Sequence, residues 1–160
     1  MKYPFVFYVD KESIFPNGGL THAFIIRIAK EYKDDEGLLA HELNHVKNWL
    51  VFGLIAFFAT CILLSRSVLE QLGVSLNLNY NDIFTVSGVI GFSFYGLMYV
   101  LSKKFRYNQE FQCYKIQLNT YSDTENKPRR AQLFAGFIKN RYKNCTNLSE
   151  QEITEKLLQN

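Results

Sequence analysis

The sequence predicts an α+β chain: a small N-terminal β-hairpin or sheet, a helix carrying two histidines that runs into a two-helix apolar hairpin, a glutamate-bearing helix, and C-terminal amphipathic helices. Three observations predict it. Aromatic and β-branched runs crowd the first thirty residues, the pattern of strands. Residues 49–65 and 83–102 carry no charged side chain. Either side of those stretches, apolar positions recur at helical spacing among charged residues.

Residues 3–9, YPFVFYV, read as the first strand. Pro16, Asn17, Gly18 and Gly19 form a turn cluster. The centre of THAFIIRIAKEY, Ala23 to Ile28, is again strand-like, so residues 1–32 make a hairpin or small sheet. Asp34 or Asp35 then supplies a helix N-cap, where acidic groups suit the positive end of the dipole. Leu38, Leu39, Ala40, Leu43 and Val46 give helical apolar spacing, and no proline or turn cluster separates this helix from WLVFGLIAFFATCILLS.

As a helix, residues 49–65 rise about 25 Å at ~1.5 Å per residue, the short end for a membrane span. Residues 66–82 are a polar connection, and residues 83–102 form a longer apolar run flanked by Lys103, Lys104 and Arg106. Length and flanks favour a membrane hairpin over two core helices of a soluble bundle. Lys47 precedes the first run, while the connection holds Arg66 as its one basic residue. The positive-inside rule therefore puts both chain ends and the histidine helix in the cytoplasm. The expectation is a single minimal domain, residues 1–160, integral to the lipid bilayer, with 49–65 and 83–102 as an inserted transmembrane hairpin.

A polar helix continues out of the second run from Phe105 to Leu118, and TYSDTENKP is a linker. RRAQLFAGFIKNRYKN reads as a basic amphipathic helix, suited to solvent or to a membrane surface. Ser149-Glu150-Gln151-Glu152 matches a capping box that starts a last short helix. A net charge of +3 is too small to argue for nucleic acid. Cys61, Cys113 and Cys145 are odd in number without CxxC spacing, and read as free thiols of a reducing compartment. The apolar start is too short, and too soon broken by Pro4, for a signal peptide. Gly88, Gly91 and Gly96 allow close helix packing but form no GxxxG pair, which leaves the oligomeric state open.

The stretch GLLAHELNHVKNWL contains His41-Glu42-Leu43-Asn44-His45, an HExxH motif. Two imidazoles one helical turn apart can bind the same Zn²⁺, and the glutamate beside the first can take a proton from a water on the metal and pass it on. Two of the chain's three histidines lie in the motif. A catalytic zinc site needs a third protein ligand. No histidine follows between Val46 and Val51, His22 lies at the start of a strand, Glu70 lies in the far connection and Glu125 in a linker. Glu110, about two turns after the second apolar run, occupies the position that mirrors His45 before the first. Glu110 is the expected third ligand; its ordinary alternative is a surface charge paired with Arg106.

Strand, HExxH helix, two spans and a glutamate helix together resemble the gluzincin membrane peptidases, the group of the CAAX-prenyl protease and the bacterial heat-shock membrane protease. In that family the third ligand opens an E-x-x-A-D motif. The matching stretch is Glu110-Phe111-Gln112-Cys113-Tyr114, with Cys for Ala and Tyr for Asp. The chain also resembles small phage-type proteins with LLAHELxHV ahead of a tyrosine-containing glutamate helix. The likeness covers residues 18–118. It implies a zinc metallopeptidase, an endopeptidase with a peptide or protein substrate, with Glu42 as general base and His41, His45 and Glu110 on Zn²⁺. It further implies that Tyr114 stands where the family's aspartate supports a zinc-bound histidine. The strand ahead of the helix would line the cleft and pair with extended substrate through Thr21, Ala23 and Ile25. Arg130, Arg141, Tyr121 and Tyr142 are the candidates for stabilising the oxyanion.

Two other classes compete with this reading. The chain is alternatively a non-catalytic two-span membrane protein, holin-like or anchoring, with a vestigial or structural metal site, and the missing Asp of E-x-x-A-D is its support. A soluble minimal gluzincin whose apolar hairpin packs on itself is the third.

Overall fold

A computed structural model describes residues 5–13, 18–74, 76, 78–142 and 144–159. Tyr3 and Pro4 of the first expected strand, and Pro16 and Asn17 of the turn cluster, lie outside them. Among the described residues the chain is α+β and mostly helical. Strands β1 (Val6–Val9), β2 (Gly19–His22) and β3 (Ile25–Ala29) precede helices α1 (Glu36–Leu63), α2 (Arg66–Gln71), α3 (Tyr80–Leu101), α4 (Lys103–Thr120), α5 (Lys127–Arg141) and α6 (Glu150–Leu158). The chain divides into two compact units, one of residues 1–46 and 102–160 and the other of residues 47–101.

In the first unit the sheet runs β1-β3-β2, with β1 parallel and β2 antiparallel to the central β3. The run expected as one strand across Ala23 to Ile28 is corrected here. It is a hairpin, because His22 pairs with Ile25 and leaves Ala23 and Phe24 as a two-residue turn. Ala23 supplies the left-handed residue, at φ +54°. Turn chemistry normally places glycine or asparagine there, so the β-rich composition masked the break. Gly19 and Thr21 lie opposite Ile28 and Ile26, and so share the face on which those isoleucines are buried.

Asp35 is the N-cap of α1, its Oδ1 accepting the Leu38 N–H at 2.8 Å. α1 runs without a break through both units, from Glu36 to Val46 in the first and from Lys47 onward in the second. The polar helix does not continue out of α3 as expected: α4 is a separate element, started by Ser102, whose hydroxyl accepts the Phe105 N–H at 3.2 Å. Pro128 sits in the first turn of α5, where its missing N–H costs nothing. The capping box of α6 is present in both directions, between Ser149 and Glu152. Leu118, Ala131, Ala135, Ile138, Ile153 and Leu157 bury the facing stripes of α4, α5 and α6 in one core.

In the second unit the apolar part of α1 meets α3 at Gly53 and Gly91, where a Cβ on Gly91 would lie 2.6 Å from the Gly53 carbonyl oxygen. Trp49 Nε1 donates to the Phe92 carbonyl at 3.0 Å, and Ser87, Gly91 and Tyr95 form the buried stripe of α3. The other faces are open: Ile62 is 63% exposed, Val89 65% and Leu101 71%. Both helices are long and apolar enough to cross a membrane.

Candidate metal centre

The first turns of α1 and the middle of α4 supply the centre, all within the first unit. On α1, His41 and His45 stand one turn apart, with ring centroids 5.1 Å from each other. On α4, Glu110, Cys113, Tyr114 and Gln117 fall at i, i+3, i+4 and i+7, a single helical face. His45 Nε2 lies 3.5 Å from Glu110 Oε1 and His41 Nε2 lies 3.8 Å from Glu110 Oε2, with all three side chains nearly or fully buried.

Burial disfavours charge on the imidazoles. It is the main cause that pushes His41 down to about 3, with the neighbouring His45 adding to the effect and the Gln117 hydrogen bond opposing it. His45 is lowered too, by burial, against the pull of the Glu110 carboxylate. Both rings are therefore neutral at pH 7, and each has a nitrogen lone pair to offer. His41 Nδ1 hydrogen-bonds Gln117 Oε1 at 3.1 Å. An amide oxygen can only accept, so the ring proton is on Nδ1 and the Nε2 lone pair faces the glutamate.

Glu42 shares this setting but not this direction. Its carboxyl is raised to about 7, first by burial and further by Glu110, while a hydrogen bond from Thr21 pulls it back. Thr21 Oγ1 donates to Glu42 Oε2 at 2.6 Å. Gly19, on the same strand, lies so close that a side chain there would overlap the carboxylate. Strand β2 thus holds Glu42 from one side.

Cys113 completes a cluster. Its sulfur and one ring nitrogen from each of His41 and His45 lie within 4.8 Å of one another, so the three could hold a metal ion. Asn44 Nδ2 donates to Cys113 Sγ at 3.2 Å, and burial pushes the thiol well above its usual range.

The donor chemistry fits zinc. In a tetrahedron with bonds of roughly 2.0–2.1 Å, neighbouring ligand atoms stand about 3.3 Å apart. The 3.5 Å spacing of Glu110 Oε1 from His45 Nε2 is near that edge, while the 3.8 Å approach to His41 Nε2 is made by the other carboxylate oxygen. Two neutral imidazoles and a carboxylate are a donor set zinc accepts.

Of the residues singled out from sequence, His41, His45 and Glu110 come together, with Glu42 beside them. Thr21 is on the edge strand β2, Ala23 in the turn, and Ile25 on the central strand β3, so the three do not form one free edge. Tyr114 meets His41 by its ring, edge to face at 4.6 Å, and the hydrogen bond on His41 Nδ1 is made by Gln117 one turn further along. Of the four oxyanion candidates, Arg130 covers the Tyr121 ring at 4.3 Å, Tyr142 is in the helical core, and the charge of Arg141 is felt at His41. His22 is exposed at the end of β2. Sequence reasoning missed Cys113, Gln117 and Asn44 as partners of the motif. The signal available was the i, i+3, i+7 stripe from Glu110, which carries polar or thiol groups where a packed helix face normally carries aliphatics.

No protein-family model, curated protein or solved structure matches the chain.

Proposed function

We propose that the chain is a zinc-dependent metallopeptidase, held in a bilayer by α3 and the apolar part of α1. The observation that carries this reading is the convergence of His41 Nε2 and His45 Nε2 on the two oxygens of Glu110, with a glutamate of raised pKa beside them. His41, His45 and Glu110 are the ligands. Bound zinc supplies Lewis acidity to a water molecule and to the scissile carbonyl. Glu42 takes a proton from the attacking water as its oxygen bonds to the acyl carbon, then delivers that proton to the leaving amine nitrogen as the C–N bond breaks. A carboxyl balanced near neutrality suits both the acceptance and the return. The substrate is a peptide or protein.

The bilayer assignment is supported by the exposed apolar faces of α1 and α3, which a soluble core helix would bury. Lys103, Lys104 and Arg106 after α3 argue for a cytoplasmic centre.

Elemental analysis of detergent-purified protein, run beside a peptide-library assay, tests the reading. Wild type is expected to hold one zinc per chain, Glu110→Ala markedly less, and Glu42→Gln is expected to keep zinc and lose hydrolysis. Undiminished cleavage by Glu42→Gln would sink the mechanism.

One observation favours a second reading. Cys113 lies within reach of the same metal position, and its thiolate would fill the coordination place that a catalytic site keeps open. The chain would then be a non-catalytic two-span membrane protein, anchoring or holin-like, with a structural metal. Cys113→Ser separates the two: zinc and hydrolysis survive it under the first reading, and zinc is lost under the second.

A further inference from the structure

We propose that Gln117, Tyr121 and Asp35 form a hydrogen-bond relay that holds His41 in its Nδ1-protonated form, which makes Gln117 a positioning residue for the metal centre. The inference rests on the metallopeptidase reading for its purpose, and on geometry for its existence.

The relay has four links. Asp35 Oδ1 accepts the Leu38 N–H at 2.8 Å and the Tyr121 hydroxyl at 2.9 Å. Tyr121 Oη accepts from Gln117 Nε2 at 3.1 Å, and Gln117 Oε1 meets His41 Nδ1 at 3.1 Å. Its polarity runs one way. A carboxylate can only accept, so the phenol must donate to Asp35. The phenol oxygen is then left to receive the amide N–H₂, which turns the amide oxygen to the imidazole and puts the ring proton on Nδ1. Reversing any link sets two donors or two acceptors face to face, which costs most at the buried His41–Gln117 contact.

The middle of the relay is held in place. The Tyr121 ring lies against Gly37, where a Cβ would overlap it, and under the Arg130 guanidinium, 4.3 Å from the ring centroid. Arg130 also lies 3.5 Å from Asp123. Burial and the Asp35 carboxylate raise the phenol to about 12, so it keeps the proton it must donate. Both ends of the relay are on α1, at its N-cap and at its second turn, while α4 and the residue after it carry the links between. The start of the helix and the tautomer of its histidine are thereby one unit.

The use of an amide has a physical reason. Two buried carboxylates, Glu42 and Glu110, already share this space, and each raises the cost of further negative charge. A neutral acceptor sets the tautomer without that charge.

The test is ¹⁵N NMR of the His41 ring in metal-free protein, followed by zinc titration, on wild type, Gln117→Met and Tyr121→Phe. Wild type is expected to show His41 protonated at Nδ1. Gln117→Met is expected to move the proton to Nε2 and to weaken zinc binding about 10–100-fold. Tyr121→Phe keeps the ring against Gly37 and Arg130, and is expected to give mixed tautomers with a smaller loss of affinity. It carries the test by itself if Gln117→Met does not fold. Nδ1 protonation and zinc affinity unchanged in both Gln117→Met and Tyr121→Phe would overturn the relay while leaving the metal centre intact. A wild type that takes up no zinc yet shows the Nδ1 proton, lost in Gln117→Met, would support the relay and overturn the metallopeptidase reading instead.

Discussion

Thr21 on the edge strand donates a 2.6 Å hydrogen bond to the carboxylate of Glu42 on α1. Burial raises Glu42 to about 7, and this bond acts against that rise. The strand therefore tunes the group expected to move the proton, besides covering it.

Thr21→Val keeps the shape and removes the donor. Glu42 then holds its proton more tightly, so less of it is ionised at neutral pH. A hydrogen bond to a charged acceptor is worth about 1.5 kcal/mol or more, which corresponds to roughly tenfold in proton affinity. The expected outcome is hydrolysis at pH 7 that is lower by up to about that factor and recovers as pH rises, read from a pH–rate profile. A profile superimposable on wild type would show that the bond does not tune the base.

Acid is expected to destabilise the metal-free protein. His41 is neutral in the fold down to about 3 but takes up a proton in the unfolded chain near 6.5, so between those values the unfolded state binds more protons and stability falls as pH falls. His45 acts in the same direction. Glu42 acts in the opposite one: its folded form keeps a proton up to about 7, so it lowers stability as pH rises from about 4.5. Glu42 offsets His41 between about pH 4.5 and 6.5; between about pH 3 and 4.5, where Glu42 is protonated folded or unfolded, the slope follows His41. Denaturant unfolding of chelator-treated protein across that range measures it, and His41→Ala is expected to flatten the slope.

Gly91→Ala puts a Cβ against the Gly53 carbonyl oxygen and Phe57, both part of the facing helix. Backbone cannot yield as a side-chain tip can, so a loss of about 1–3 kcal/mol is expected by thermal unfolding in detergent. Gly88→Ala and Gly96→Ala meet open space and serve as controls, expected to be neutral or stabilising by up to about 1 kcal/mol.

Ala23→Gly is expected to stabilise the hairpin. Ala23 sits at φ +54°, a region that costs a residue with a Cβ roughly 1–2 kcal/mol. Part of that gain is offset by the extra freedom glycine has in the unfolded chain. Slower amide exchange across the β2–β3 pairs is the readout, and faster exchange would argue against strain at the turn.

What the amino-acid sequence determined by itself is what consecutive residues can encode. The spacing of His41 and His45, the Asp35 N-cap, the Ser149 capping box and the two uncharged runs were all legible, because helix periodicity, capping and hydropathy depend on neighbours within a turn or two. Glu110 was reachable by elimination, as a carboxylate placed symmetrically beyond the second apolar run. The tertiary structure decided the rest. His41 and Gln117 are 76 positions apart, and neither Gln nor Cys carries a local mark of the contact it makes. The turn at Ala23 hid inside a β-rich run, because the residue that takes the left-handed conformation is alanine. Gly91 differs from Gly88 and Gly96 by one fact, that a second helix's backbone passes against it. Contacts of this kind depend on which surfaces meet once the chain has folded back, and a local pattern does not contain that information.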